Sequence, residues 1–290
     1  MKIKGISILV LLAALSGCQE SNPAAITPIY SGDSLELTIV ATTSRTTKTV
    51  LSGRKVLWTE GDRLSVAYHP AGQEDWKLAQ TETAGISETQ ATFKTTLSPV
   101  PAYQSVAYAY FPANELSPRE ELLRLTVADE QFPSGDSFDG NSDILLSQQF
   151  IPAGNVATTF SHMGTILRLS ISNADLSREK IWSLTMQAAV PVAGDVLIDP
   201  AQAAPVEIEN PSNTLTATFP EDKRFVLGDS GQYIYLVACP QTLSKGSTLL
   251  FTGETDNYIF TREVNLENDI VLQAGHLAPI TVVVQEITRK

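Results

Sequence analysis

From residue 34 onward the chain is written in period two. Leu35, Leu37, Ile39 and Ala41 fall on one side of residues 34–41, with Glu36 and Thr38 on the other, the alternation of a strand with one buried face. Short strands of the same kind follow at intervals closed by Gly, Pro, Asn and Asp turns. They are predicted within residues 56–68, 91–97, 105–110, 123–127 and 144–148. A block at 160–172 sets Leu167, Leu169 and Ile171 against Arg168, Ser170 and Ser172. Beyond it come 182–187, 196–199, 214–219, 233–239, 248–253, 258–264 and 280–287. One segment competes: in residues 117–124 Ser117 stands as a helix N-cap, Pro118 at the first helical position and Glu120 three after the cap, predicting a helix of one or two turns. The rest predicts an all-β chain of two successive sandwiches. The turn Pro152-Ala-Gly-Asn155 is the expected boundary, giving domains 34–155 and 156–290.

The first 33 residues follow a different rule. Lys2 and Lys4 precede a ten-residue apolar run at 6–15, too short for a transmembrane helix and typical of a signal peptide. Leu15-Ser16-Gly17-Cys18 resembles a bacterial lipobox, in which the Cys thiol is acylated and the bond before it is cut. Residues 1–17 are then the signal, Cys18 the lipid-bearing first residue, and 18–33, with Pro23 and Pro28 and no periodicity, a tether. Several acyl chains make such an anchor durable, at about 0.8 kcal/mol per buried methylene. The expectation is an outer membrane lipoprotein of the cell envelope.

Composition narrows the possibilities. Of 290 residues 43% are apolar, enough for a packed core. The formal charge of −12 becomes −14 once Lys2 and Lys4 leave with the signal, and no basic cluster exists. That argues against nucleic acid as a partner, because its binding rests on Lys and Arg neutralising phosphates. With Cys18 given to lipid, Cys239 is left alone and no internal disulfide forms. Packing has to hold the fold.

Enzyme constellations are incomplete. Gly32-Asp33-Ser34-Leu35 spells a lipase signature and Gly228-Asp229-Ser230-Gly231 a serine-protease one, with Gly135-Asp136-Ser137 as a third copy. Each needs a His base in a defined context, and none of His69, His162 or His276 supplies it. Asp, Gly and Ser are also the residues that build turns. The histidines lack zinc-ligand spacing, so no metal or cofactor is expected. Asp139-x-Asn141-x-Asp143 matches the opening of a calcium loop, but Ile144 takes the Gly position and Phe150 that of the bidentate Glu.

A series of motifs points elsewhere. Trp58-x-x-Gly61-Asp62, preceded by Ser44-Arg45-Thr46, is followed in order by Tyr108-Ala-Tyr-Phe-Pro112, Gln131 with Asp143-Ile-Leu145, Phe160-x-His162-x-Gly-Thr-Ile-Leu167, Pro191-x-Ala-Gly194, Tyr235-x-x-x-x-Pro240 and Leu272-x-x-Gly275-His-x-x-x-Ile280. The series resembles the fimbrillin family of Bacteroides-type bacteria, the subunits of lipoprotein-derived pili. The resemblance implies two transthyretin-like β-sandwich domains and no enzymatic activity. It implies an arginine-specific cut, here at Arg45 with Arg54 as second choice, that removes the lipid and the strand at 35–41. A neighbour's terminal strand then fills the groove by β-strand addition. Residues 280–287, about 26 Å long, would be that donor, with Ile280, Val282 and Val284 on one face and Val283 and Ile287 on the other; an internal strand of the second sandwich fits the same residues. The implied partners are other pilin subunits or copies of the same chain, the outer membrane through the lipid, and a host or bacterial surface ligand in adhesion. An uncut subunit would stay lipidated and suit a pilus anchor. A glycan-binding surface lipoprotein is the alternative, with Trp76 in a polar loop as its aromatic candidate and Trp58 and Phe160 read as core.

Overall fold

The alternation at residues 34–41 becomes the ten-residue strand Ser34–Thr43, with Leu35, Leu37, Ile39 and Ala41 at most 1% exposed. The computed structural model describes residues 30–31, 33–43, 58–87, 90–133, 137–227 and 233–290. Among these residues there is no α-helix, only three single 3-10 turns, and the chain is an all-β sandwich fold.

Ser34–Thr43 lies inside a nine-stranded sheet. The order runs Lys77–Gln80, Ser65–Tyr68, Ala107–Phe111, Leu145–Ser147, Asn155–His162, Ser34–Thr43, Gln90–Leu97, Glu82–Ser87, and Tyr30–Ser31 folds back on Ser34–Thr43. Every pairing is antiparallel except that of Ser34–Thr43 with Asn155–His162, which puts Thr38 opposite Asn155. Ser65–Tyr68 and Ala107–Phe111 are buried on both faces. One face carries Val66, Tyr68, Ala109 and Phe111 into a core with Trp58, Phe93 and Phe160. The other sends Ala67, Tyr108 and Tyr110 into a second, larger core shared with later strands.

A crossover follows. Thr165–Ser172 is the middle of a three-stranded sheet, antiparallel to Ile234–Ala238 and parallel to Leu277–Val283. A seven-stranded sheet holds Glu286–Arg289, Tyr258–Asn265, Thr248–Thr255, Lys180–Gln187, Thr214–Thr218 and Glu130–Gln131 in that order, with Phe225–Val226 also on Lys180–Gln187. Leu123–Val127, Ala193–Asp199 and Ala204–Ser212 form a further sheet. Strands at 123–131 therefore pair with the second half of the chain, and the strand after the Pro152–Asn155 turn pairs with the first.

Gly253 shows how closely strands approach. A Cβ there would lie 2.0 Å from Cζ of its cross-strand partner Phe260, so the ring covers the glycine and only Gly fits.

Three sequence expectations are corrected. The helix at 117–124 is replaced by a tight turn, Arg119 bridging to Leu122, that leads into the strand Leu123–Val127. Leu123, Leu125 and Val127 are all buried, and their period-two burial outweighs capping residues that had only one turn to nucleate. The block at 160–172 is two strands, broken at Met163-Gly164, where a Cβ on Gly164 would meet Val237 Cγ1 at 2.6 Å. Residues 280–287 also divide, into Leu277–Val283 and Glu286–Arg289, and the first is buried on one face only: Val283 is 53% exposed.

Candidate functional site

The elements that a strand-exchanging subunit would use occupy two comparable settings. Ser34–Thr43 is hydrogen-bonded on both edges, parallel to Asn155–His162 and antiparallel to Gln90–Leu97. Thr38 N–H donates to Gly154 O at 2.6 Å, and Thr42 Oγ1 lies 3.3 Å from Thr159 Oγ1. Its apolar row packs into the core in which Trp58 meets Phe93, Phe111 and Phe160 edge-on, ring centroids 5.2, 5.6 and 5.5 Å away. Without the strand, this aromatic floor and two backbone edges would face water, a groove of one strand's width.

Leu277–Val283 repeats the arrangement, parallel to Thr165–Ser172, but is the edge of its sheet. Ile280, Val282 and Val284 are 7%, 0% and 2% exposed, so the three apolar residues named as a donor strand are core residues of their own chain. Pro279 and the exposed Val283 lie on the opposite face. The tail beyond is fastened: Val284 N–H donates to Ser172 O, Asn173 Nδ2 to Val284 O, and Lys290 Nζ to Glu254 Oε1 at 2.6 Å, 4.5 Å from the Trp182 ring centre. Cys18, Arg45 and Arg54 lie outside the described residues; Arg45 follows the end of the first strand, Thr43, by two positions.

The calcium-like segment folds as a turn. Asp139 accepts from the backbone N–H groups of Asn141 and Phe132, capping the 3-10 turn Gly140–Ser142. Asp143 turns inward, its Oδ1 2.9 Å from Nδ1 of the buried His162. Burial alone disfavours the imidazolium, but the Asp143 charge and its hydrogen bond together hold the His162 pKa above the usual 6.5. Among the described residues no group of three or more acidic, His or Cys side chains is placed to hold a metal ion.

The remaining sequence candidates are placed as follows. Trp58 and Phe160 are buried, as core residues should be. Trp76 is half-buried, its ring 3.9 Å from that of His69 and its Nε1 donating to Glu121 Oε2 at 3.2 Å, so its faces are largely committed. Cys239 is a buried free thiol whose pKa is pushed up to about 12, first by burial and then by Asp195. Gln131, quoted only as part of a motif, is fully buried and acts as a surrogate strand: its Oε1 accepts from Val237 N–H while its Nε2 donates to Val237 O and Ala128 O. The Asp143–His162 pair was invisible in sequence; a buried Asp nineteen positions from a strand His leaves no periodic signal.

A solved structure shares this architecture. A candidate cell adhesion protein from Bacteroides ovatus superimposes with a TM-score of 0.55 at 15% identity, over 88% of this chain and 95% of that one. The chain shares that protein's fold. A candidate cell adhesion protein from Bacteroides uniformis (TM-score 0.48, 19% identity, 88% and 96% covered) and a fimbrial assembly protein from Parabacteroides distasonis (0.43, 10%, 89% and 99%) align more loosely. No protein-family model matches the chain, and no curated protein matches it in sequence.

Proposed function

We propose that this chain is a structural subunit of a cell-surface pilus, acting in adhesion and joining its neighbours by strand exchange. The observation that carries the reading is the setting of Ser34–Thr43: a central, one-face-apolar strand next to Arg45, whose loss would leave a groove lined by Trp58, Phe93 and Phe160. Support comes from the second parallel strand. Ala278, Ile280, Val282 and Val284 repeat the spacing of Leu35, Leu37, Ile39 and Ala41, and both rows run parallel to the strand beside them. A donor entering the groove parallel to Asn155–His162 would restore the main-chain bonds and fill the same four side-chain positions. The neighbours described as cell adhesion and fimbrial assembly proteins agree with a surface role.

In this reading Cys18 is lipidated and holds the precursor at the outer membrane, a cut after Arg45 releases the strand, and residues 34–155 and 156–290 act as two sandwiches that share strands across their boundary, 123–131 pairing with the second and 155–162 with the first. The test starts from full-length protein treated with an arginine-specific protease. Chains beginning at Thr46 together with a ladder of SDS-resistant oligomers are the expected result. Cleaved protein that stays monomeric would sink strand exchange.

A further inference from the structure

The groove that Ser34–Thr43 fills is not uniform along its length. Three of the side chains in it are large and the fourth is small: Leu35, Leu37, Ile39 and Ala41, none more than 1% exposed. Leu35 faces Leu97, Ile39 lies between Phe93 and Val156, and Ala41 lies between Ala91 and Thr158. Ala91 and Thr158 are themselves buried. The row at Ala41 is therefore closed to water although only small side chains line it across the three strands.

Trp58 accounts for that closure. Its ring centre is 5.2 Å from that of Phe93, which pairs with Ile39 on one side of the strand. It is 5.5 Å from that of Phe160, which pairs with Thr43 on the other side. A ring that meets both has to cross the lane of the first strand between Ile39 and Thr43, over Ala41. The indole thus takes the space that a larger side chain at 41 would need. Interiors are close-packed, so added methylenes at such a point cost stability, as do lost ones where Leu35 and Leu37 sit.

We infer that Trp58 sets which strand the groove accepts: a donor running in the direction of the strand it replaces reads large, large, large, small at alternate positions, with Ala or Gly under the indole. The inference rests on the strand-exchange reading and names the partner within it. This chain's own row of Ala278, Ile280, Val282 and Val284 has the spacing without the sizes. Entering in that direction, it would push Val284 under Trp58 and leave the space of Leu35 to Ala278. The size order points instead to a second kind of subunit as donor, one whose strand closes its apolar row with a small residue.

The experiment cuts full-length protein with an arginine-specific protease and offers an excess of fluorescein-labelled peptides of residues 34–43, following uptake of the label by gel filtration. The parent peptide should enter, and Ala41→Gly should enter nearly as well. Uptake should fall through Ala41→Val to Ala41→Leu, the last at least about tenfold below the parent. Leu37→Met, a swap of similar volume at the large end, should change it little. Protein carrying Trp58→Leu, cut in the same way, should recover uptake of the Ala41→Leu peptide. Should that variant fail to fold, the size series at 41 against the swap at 37 decides the matter in the unaltered protein. An Ala41→Leu peptide that enters as well as the parent, or no recovery in folded Trp58→Leu, would overturn the rule and leave strand exchange standing. Cut protein that takes up no peptide at all would remove both.

Discussion

Ser34–Thr43 and Leu277–Val283 meet the same pairing pattern with different commitment. Each lies parallel to one strand, which is itself antiparallel to another: Leu145–Ser147 behind Asn155–His162, and Ile234–Ala238 behind Thr165–Ser172. The first strand also pairs on its far edge with Gln90–Leu97, whereas the second ends its sheet. One is a keystone, the other a lining. A proline at 279 is tolerable only in the lining, where an edge has a backbone side free of the ladder. The lesson is that an alternating apolar row specifies burial of one face, while the number of paired edges decides how much of the fold depends on the strand.

The widest gap between the two should appear in stability. Leu37→Ala removes a side chain buried to 1% from a doubly paired strand and is expected to cost about 3–4 kcal/mol. Ile280→Ala, at 7% exposure on the edge strand, should cost about 2 kcal/mol, and Val283→Ala under about 0.5 kcal/mol because its side chain already meets water. Urea unfolding of the three variants gives the order directly; equal losses for Leu37 and Ile280 would erase the distinction.

A smaller effect belongs to the first setting alone. His162 ends the strand beside Ser34–Thr43, and its folded pKa is raised by the buried Asp143. Its stabilisation is complete below about pH 6.5, the value of an unfolded imidazole, and fades as pH rises through the higher folded value. Unfolding midpoints should therefore fall as pH rises above neutral. His162→Asn should flatten that slope and lower stability most on the acid side. A slope of the same size in the variant would mean that other groups produce it.

The smallest signal sharpens the second setting. Cys239 follows the strand Ile234–Ala238, and with a pKa of about 12 only on the order of one thiol in ten thousand is ionised near pH 8. Disulfide reagents should modify it at the rate of unfolding and no faster. Faster labelling would show that the sheet holding Leu277–Val283 opens locally, as an edge strand permits.

Much of this architecture was legible in the alternation. Leu123–Val127 was read to the residue, and Ser34–Thr43, Gln90–Leu97 and Lys180–Gln187 to within a few positions. What escaped were strands with little to bury. Lys77–Gln80 and Glu82–Ser87 have no buried residue between them, and Ala204–Ser212 is an edge strand with two prolines, two register shifts and Val206 59% exposed. Such strands are held by neighbours' backbones, which leave no pattern in sequence. The motif series located Trp58, Asp143 and His162 without saying that they converge. Their meeting is a tertiary fact: Trp58 and Asp143 line one cavity, and His162 reaches Asp143.

The two parallel pairings also carry a kinetic consequence. Thr38 faces Asn155 and Leu277 faces Ile166, partners 117 and 111 positions apart along the chain. No hairpin joins them, so neither parallel ladder can close until the ends of a segment of more than a hundred residues have been brought together. Loop-closure entropy has to be met before these contacts return anything, which places the chain among slow, high-contact-order folders. The apolar row of Leu35, Leu37 and Ile39 thus comes early in the chain and is fully sheltered only when its distant parallel partner arrives. During that interval it is a sticky, half-paired strand, and a chain made this way depends on being kept from its own copies until the sheet closes.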